Sequence, residues 1–167
     1  MKKSALAAAL ILSLFTSPGI SGTLEIPKRK PACTVKVPDS WEPEDTDKGY
    51  AIESPDKVAT VFLEVTSKKG IDDLLSENID WLTEDQGVKM DAASKKEQDF
   101  ELAGRKWSRI SWDGKSKEWG PAVIGFLFTE VAKGKLLTVT YWITKKDADK
   151  HMPTLEKIFS SVKAVEE

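Results

Sequence analysis

Two consecutive stretches, VIGFLFTEV (residues 123–131) and LLTVTYWIT (residues 136–144), decide how this chain folds. In the first, the residues up to Phe128 are apolar on both faces of a strand, which is typical of a central strand covered on both sides. The second alternates between an apolar face and a face of threonines and one tryptophan. Lys133-Gly134 is a short turn signal between them. The two stretches are therefore predicted to form an antiparallel hairpin in the middle of a sheet.

Further strands and two helices are predicted around this hairpin. Apolar alternation and turn signals predict strands over 33–37, 50–54, 58–66, 88–92, 97–102 and 105–113. Apolar residues recur at intervals of three and four residues in IDDLLSENIDWLTEDQ (71–86), which predicts an amphipathic helix that ends before Gly87. Asn78 falls inside its apolar stripe and is interpreted as a buried amide bonded to neighbouring backbone. The regular part of the last helix is predicted to begin near Pro153.

This order of elements predicts an α+β domain with an antiparallel sheet. The chain resembles the PsbP/Mog-like fold, and in particular small exported bacterial proteins of the DcrB/DUF1795 kind. The stretches that carry the resemblance are VKVPDSW, YAIESP, the helix ending in EDQG, and TYWITKKDADKHMPTLEKIFSSVK. The resemblance covers residues 33–163. It implies three layers, α/β/α, with a central antiparallel sheet of about six or seven strands and two main helices. It implies no activity, because members of this group bind different partners.

The N-terminus has the pattern of a secretory signal peptide. Lys2 and Lys3 precede an apolar run from Ala5 to Phe15, which is too short to span a bilayer, and small residues follow. Cleavage is predicted after Ser21, give or take a few residues. Residues 22–32, with two prolines and a basic run, are then expected to form a flexible leader before a single domain over 33–165. The protein is predicted to be periplasmic or secreted, without stable membrane insertion.

The charge of the chain argues against nucleic-acid binding. Loss of a signal peptide that contains Lys2 and Lys3 and no acid lowers the formal net charge from −2 to −4. Phosphate contacts dominate the affinity of nucleic-acid binders, so a mildly acidic exported domain is a poor candidate.

Cys33 is the only cysteine, and its environment limits its roles. One cysteine forms no internal disulfide, and the cations of residues 28–30 before it argue against a lipoprotein. An intermolecular disulfide stays open. We interpret Cys33 as the first core-facing residue of a strand that Pro38 ends, with Trp41 folding back as a plug over the end of the sheet.

No catalytic or cofactor motif is found. His151 is the only histidine, no nucleophile elbow is present, and a Cys33/His151 dyad is the one enzyme hypothesis that the residues allow. One cysteine and one histidine exclude a useful zinc site. The acidic segment that carries Glu42, Glu44, Asp45 and Asp47 departs from a calcium loop and is interpreted as a solvated loop. We predict no enzyme activity and no cofactor.

The six tryptophans are the unusual feature of the composition. Core packing, with a partner for each indole N–H, explains most of them. Trp112 and Trp119 flank a predicted loop over 114–120 that also carries Lys115 and Lys117, and exposed aromatics beside lysines suit a contact surface.

Two binding functions follow from these observations. The first is a non-catalytic exported accessory protein that docks an unknown protein partner of the cell envelope through Trp112, Lys115, Lys117 and Trp119. The second is a small-ligand binder with a tryptophan-lined pocket between sheet and helices. A cysteine-dependent enzyme ranks third.

Overall fold

The structure, a computed structural model, describes residues 20–165. A π-helical turn over Trp81–Asp85 extends the first helix, and short 3₁₀ turns lie at Ala92–Ser94 and Lys145–Asp147. The strands and helices of the described residues are, in order, β1 (Ile20–Ile26), β2 (Cys33–Pro38), β3 (Glu42–Asp45), β4 (Gly49–Glu53), β5 (Ala59–Ser67), α1 (Ile71–Asp80), β6 (Val88–Met90), β7 (Lys96–Leu102), β8 (Arg105–Ser116), β9 (Gly120–Ala132), β10 (Lys135–Thr144), α2 (Ala148–Ser160) and β11 (Lys163–Ala164).

The main sheet is antiparallel and contains eight strands, in the order β3-β4-β5-β10-β9-β8-β6, with β7 also paired to β8. Strands β1, β2 and β11 form a separate three-stranded sheet. The α+β fold with an antiparallel sheet and two main helices is confirmed. The hairpin predicted from the two deciding stretches is β9–β10, and it lies at the centre of the main sheet.

Each face of the main sheet is covered by a helix. On one face the core includes Leu137, Val139 and Tyr141 of β10, and α2 adds Leu155 and Ile158 to it. The small sheet contributes to the same core, with members that include Ile26, Cys33, Val35 and Val37. On the other face a smaller apolar cluster joins the turn after α1 to β6, β9 and β10, through Leu82, Val88, Ala122, Ile124 and Trp142.

Three strands among residues 20–165 were not predicted from the sequence, namely β1, β3 and the two-residue β11. Residues 22–32 were expected to be a flexible leader, but Gly22 to Ile26 belong to β1, which pairs with β2 from Val37 to Cys33. Ile26 is fully buried, and this burial fixes the segment in the core. The acidic segment interpreted as a loop contains β3, which pairs with β4. The predicted signal peptide lies outside the described residues except for positions 20 and 21.

The last helix begins earlier than predicted. Helix α2 starts at Ala148, and Pro153 lies inside it. Tertiary contacts hold the turn that precedes the proline, because Ala148 and Met152 pack against the core and His151 Nε2 lies 3.0 Å from Asp56 Oδ2. These contacts offset the backbone hydrogen bond that a proline inside a helix removes.

Trp41 joins the small sheet, the main core and α2. Its side chain is 2% exposed, and its backbone N–H donates to the Pro38 carbonyl at 3.0 Å. Its ring meets that of His151 edge to face, with centroids 5.8 Å apart.

Asp56 accepts hydrogen bonds from Ser54 and Lys150 as well as contacting His151. Burial opposes ionisation of Asp56, but these hydrogen bonds outweigh it and hold its pKa well below the usual range.

We predict that Trp41→Ala lowers the free energy of unfolding by about 3–5 kcal/mol, because it leaves a cavity where three layers meet. Urea denaturation followed by circular dichroism measures the change. Trp119→Ala, at a more exposed tryptophan, is the control and should cost clearly less. A near-neutral result for Trp41→Ala would mean that Trp41 does not plug the core.

Candidate functional site

Four aromatic side chains from distant parts of the chain line one groove on the α1 face of the main sheet. Phe62 comes from β5, Trp81 from the π-helical turn after α1, Trp119 from the β8–β9 turn and Trp142 from β10. The groove has a volume of about 690 Å³, and β3 and β4 form its opposite wall. We call it the tryptophan groove. It is the kind of concave, aromatic-lined surface that binding sites use.

The floor of the tryptophan groove is fixed by packing. Trp81 begins the π-helical turn and meets Phe62 edge to face, with ring centroids 4.7 Å apart and an interplanar angle of 82°. Trp142 lies on the face of β10 opposite Tyr141 and is 3% exposed. Its indole N–H is buried with no acceptor among the described residues, as is that of Trp107. The expectation that each indole N–H finds a partner is therefore wrong at these two positions.

Trp119 is held by a turn that is tighter than predicted. Strand β8 continues to Ser116, which pairs with Gly120 of β9, so three residues connect the strands instead of a loop over 114–120. The Ser116 hydroxyl is buried and accepts hydrogen bonds from the backbone N–H groups of Glu118, at 3.2 Å, and Trp119, at 3.3 Å. Gly120 closes the turn with a φ of +77°, a conformation that favours glycine.

The structure separates the four residues predicted as a contact surface. Trp119 lines the tryptophan groove and, at 36% exposure, is the only large hydrophobic side chain classed as exposed among residues 22–165. Trp112 is half-buried and packs against the apolar cluster under α1. Lys115 and Lys117 are exposed, and neither lines the groove. Of the predicted structural residues, Pro38 and Trp41 are buried in the core region, and Gly87 follows α1 with a φ of +60°.

Sequence reasoning missed Phe62, Trp81 and Trp142 as groove residues. Trp142 was assigned to core packing. The available signal was its place in the alternation of β10, which puts it on the other face of the strand from Tyr141. No local pattern indicates that the end of α1, the β8–β9 turn and β10 converge, because that depends on the strand order of the sheet.

The rim of the tryptophan groove is acidic. Its lining includes one lysine, Lys57, and five acidic residues: Glu42, Glu44, Asp45, Glu53 and Glu118. Asp45 Oδ2 accepts a hydrogen bond from Lys28 Nζ at 2.6 Å, and this bond raises the pKa of Lys28. The other four carboxylates form no ion pair with any residue in 20–165. The rim is therefore a region of uncompensated negative charge.

A buried polar cluster lies between α1 and the sheet. Asn78 Nδ2 donates to Glu64 Oε2 at 3.1 Å and to Thr140 Oγ1 at 2.9 Å. Asn78 is buried as predicted, but it bonds side chains of the sheet instead of neighbouring backbone, because its stripe faces β5 and β10. Glu64 is 6% exposed, and burial raises the pKa of its carboxyl group.

We predict that Glu64→Gln raises the free energy of unfolding at neutral pH. Because its pKa is higher in the folded state, Glu64 contributes fully to stability below its unfolded pKa of about 4.3, and that contribution is lost as the pH rises through the folded value. The stabilisation by Gln should therefore shrink toward pH 4. Urea denaturation at several pH values measures it, with Glu156→Gln, at an exposed carboxylate of α2, as the charge-matched control. A gain that does not change with pH would contradict this account.

Cys33 and His151 do not form a dyad. The Cys33 sulfur is fully buried and lies 4.0 Å from the Ile26 carbonyl oxygen, whereas His151 contacts Asp56. Burial raises the pKa of the Cys33 thiol to about 12, although the charge of Arg105 acts in the other direction. A thiol with so high a pKa is almost entirely protonated at neutral pH, and the thiolate is the nucleophilic form.

Residues 20–165 contain neither a membrane-spanning helix nor a cluster of metal-ligating side chains. No helix there is long and apolar enough to cross a membrane. No group of three or more histidine, cysteine, aspartate or glutamate side chains in this part of the chain is placed to hold a metal ion.

Comparisons with known proteins support the fold. No protein-family model matches the chain, and no curated protein matches its sequence. Solved structures do match it. Cyanobacterial PsbP (CyanoP) from Synechocystis superimposes with a TM-score of 0.57 at 9% identity, over 96% of this chain and 99% of that one.

Two other structures give the same result. The Ran-binding protein Mog1p of Saccharomyces cerevisiae has a TM-score of 0.50 at 14% identity, over 87% of this chain and 95% of its own. LpqN, which is involved in cell envelope biogenesis of Mycobacterium tuberculosis, has a TM-score of 0.52 at 11% identity, over 80% and 83%. At these identities the likeness establishes the fold, and the expected PsbP/Mog-like fold is confirmed.

Proposed function

We propose that this protein is a non-catalytic accessory protein of the cell envelope that binds a partner protein in the tryptophan groove. The convergence of Trp81, Trp119 and Trp142 on one groove is the observation that carries the proposal. Large aromatic side chains supply much of the binding energy of protein interfaces, and an exposed tryptophan on a tight turn is a suitable anchor.

The shape of the groove favours a protein partner over a small ligand. A small-molecule site typically buries about 70–90% of its ligand. Every residue of β3, on one wall of the groove, is exposed, and Trp119 on the other is also exposed, so this groove is open on one side. A small ligand remains the second candidate, since the aromatic side chains and carboxylates that converge there fit that function as well.

Export to the periplasm or the exterior is part of the proposal. The charged start and the apolar run at the N-terminus support it, as does the involvement of LpqN, a protein of the same fold, in cell envelope biogenesis. The opening VKVPDSW and the closing LEKIFSS support placement with the DcrB/DUF1795 group. The Ran-binding role of Mog1p is a precedent for protein binding on this fold.

The export hypothesis predicts a mature protein that begins at or near Gly22. Such a chain loses the pair between Ile20 and Pro38 but keeps Gly22 to Ile26, which form the other five pairs of β1 with β2. N-terminal sequencing of the protein from a fractionated bacterial host measures this. An intact N-terminus in the cytoplasmic fraction would contradict export.

The binding hypothesis predicts that Trp119→Ala loses the partner. Wild-type protein is used as bait in envelope extracts of the native host, and captured proteins are quantified by mass spectrometry. Lys117→Ala is the matched control, because Lys117 lies in the same turn but outside the groove. We expect a protein that wild type and Lys117→Ala retain and Trp119→Ala captures at least about tenfold less, a loss of about 1.4 kcal/mol. Equal capture by Trp119→Ala would remove the groove as the binding site.

A further inference from the structure

The acidic rim of the tryptophan groove has a local electrostatic cost. Glu42 of β3 and Glu53 of β4 are directly opposite each other in the antiparallel pair, and both line the groove. Like charges that face each other across two strands destabilise a sheet. Neither carboxylate forms an ion pair within residues 20–165. A cation bound between them would relieve this repulsion.

The aromatic side chains of the groove also suit a cation. The faces of tryptophan rings carry negative electrostatic potential and attract ammonium and guanidinium groups. Trp81, Trp119 and Trp142 line the same groove as the acidic rim. Aromatic rings and carboxylates in one groove favour the same ligand group, namely a positive charge carried on an apolar stem, as in lysine and arginine side chains.

The chain itself places a lysine at one end of this rim. Lys28 Nζ binds Asp45 Oδ2 at 2.6 Å, and this contact joins the loop after β1 to the end of β3. Asp45 is thereby compensated, whereas Glu42, Glu44, Glu53 and Glu118 form no ion pair with another residue of 20–165. These carboxylates line the same groove as the tryptophans, and within residues 20–165 Lys57 is the only basic residue of its lining.

We infer that the occupant of the tryptophan groove is a basic peptide segment of the partner protein. Lysine or arginine side chains lie over the tryptophans with their charged groups between Glu42 and Glu53. The negative charge of the rim requires a positively charged ligand, and the open side of the groove leaves room for an extended peptide chain. This inference rests on the proposed function and specifies the chemistry of its partner.

The test uses the full-length mature protein and a fluorescein-labelled peptide of alternating lysine and alanine, with binding measured by fluorescence polarisation. The same peptide with every lysine acetylated is the neutral control, since acetylation removes both the charge and the cation–π donor. We expect the basic peptide to bind and the acetylated one to bind at least about tenfold more weakly. Binding of the basic peptide should weaken with added salt.

Charge variants locate the site. Glu42→Gln/Glu53→Gln should weaken peptide binding about tenfold. Lys57→Gln removes the one basic residue that the described part of the chain contributes to the lining, so it should strengthen binding, and Glu156→Gln on α2 should leave binding unchanged. The double variant removes a repulsion, so we expect it to fold, and thermal unfolding followed by circular dichroism verifies that.

Four results would each overturn the inference. The basic peptide does not bind; the acetylated peptide binds equally well; or Glu42→Gln/Glu53→Gln leaves binding unchanged. The fourth is that spermidine displaces the peptide and binds as tightly as it does, which would assign the groove to small amines. Trp119→Ala separates this inference from the proposed function. If it loses the captured partner while the basic peptide fails to bind, the groove stands as the binding site and only its cationic ligand is wrong.

Discussion

Burial of β10 on both faces is the constraint on which the rest of the structure depends. Every residue from Leu136 to Thr144 is buried. Tyr141 on one face crosses Gly125 of β9, where a Cβ atom would lie 2.2 Å from the tyrosine ring. Because a strand in this position has no face for water, the chain must provide a layer on each side, and α2 and α1 are those layers.

The two layers are unequal, and the tryptophan groove is a consequence. The α2 face is completed by the small sheet and Trp41, and together they make one large core. On the other face the π-helical turn after α1 ends at Asp85. Beyond it lie β3, whose acidic side chains are exposed, and β4, whose Glu53 is half-buried. The tryptophans cover the sheet where the helix stops. An exposed tryptophan and opposed glutamates are unfavourable for folding alone, which is why we propose that this region binds a partner.

The elements predicted from the sequence are those whose signal is local. Helix α1 and strands β5 and β7 to β10 each have a periodic pattern of their own, so they were placed within a few residues. Strand β3 consists of four exposed residues including Pro43, and it is a strand only because it pairs with the edge of β4. Strand β1 depends in the same way on pairing with β2. The candidate site was predicted in part, since Trp119 was identified from its turn, but its convergence with Trp81 and Trp142 depends on strand order.

The central claim is that the tryptophan groove binds a basic segment, and the indole N–H signals of the six tryptophans test it most directly. In two-dimensional ¹H–¹⁵N NMR spectra of the mature protein, the lysine–alanine peptide is titrated against assigned indole resonances. The account predicts shifts at Trp81, Trp119 and Trp142, and none at Trp41 and Trp107 in the core on the opposite face. Shifts confined to Trp41 or Trp107, or no shift at the groove tryptophans, would contradict it.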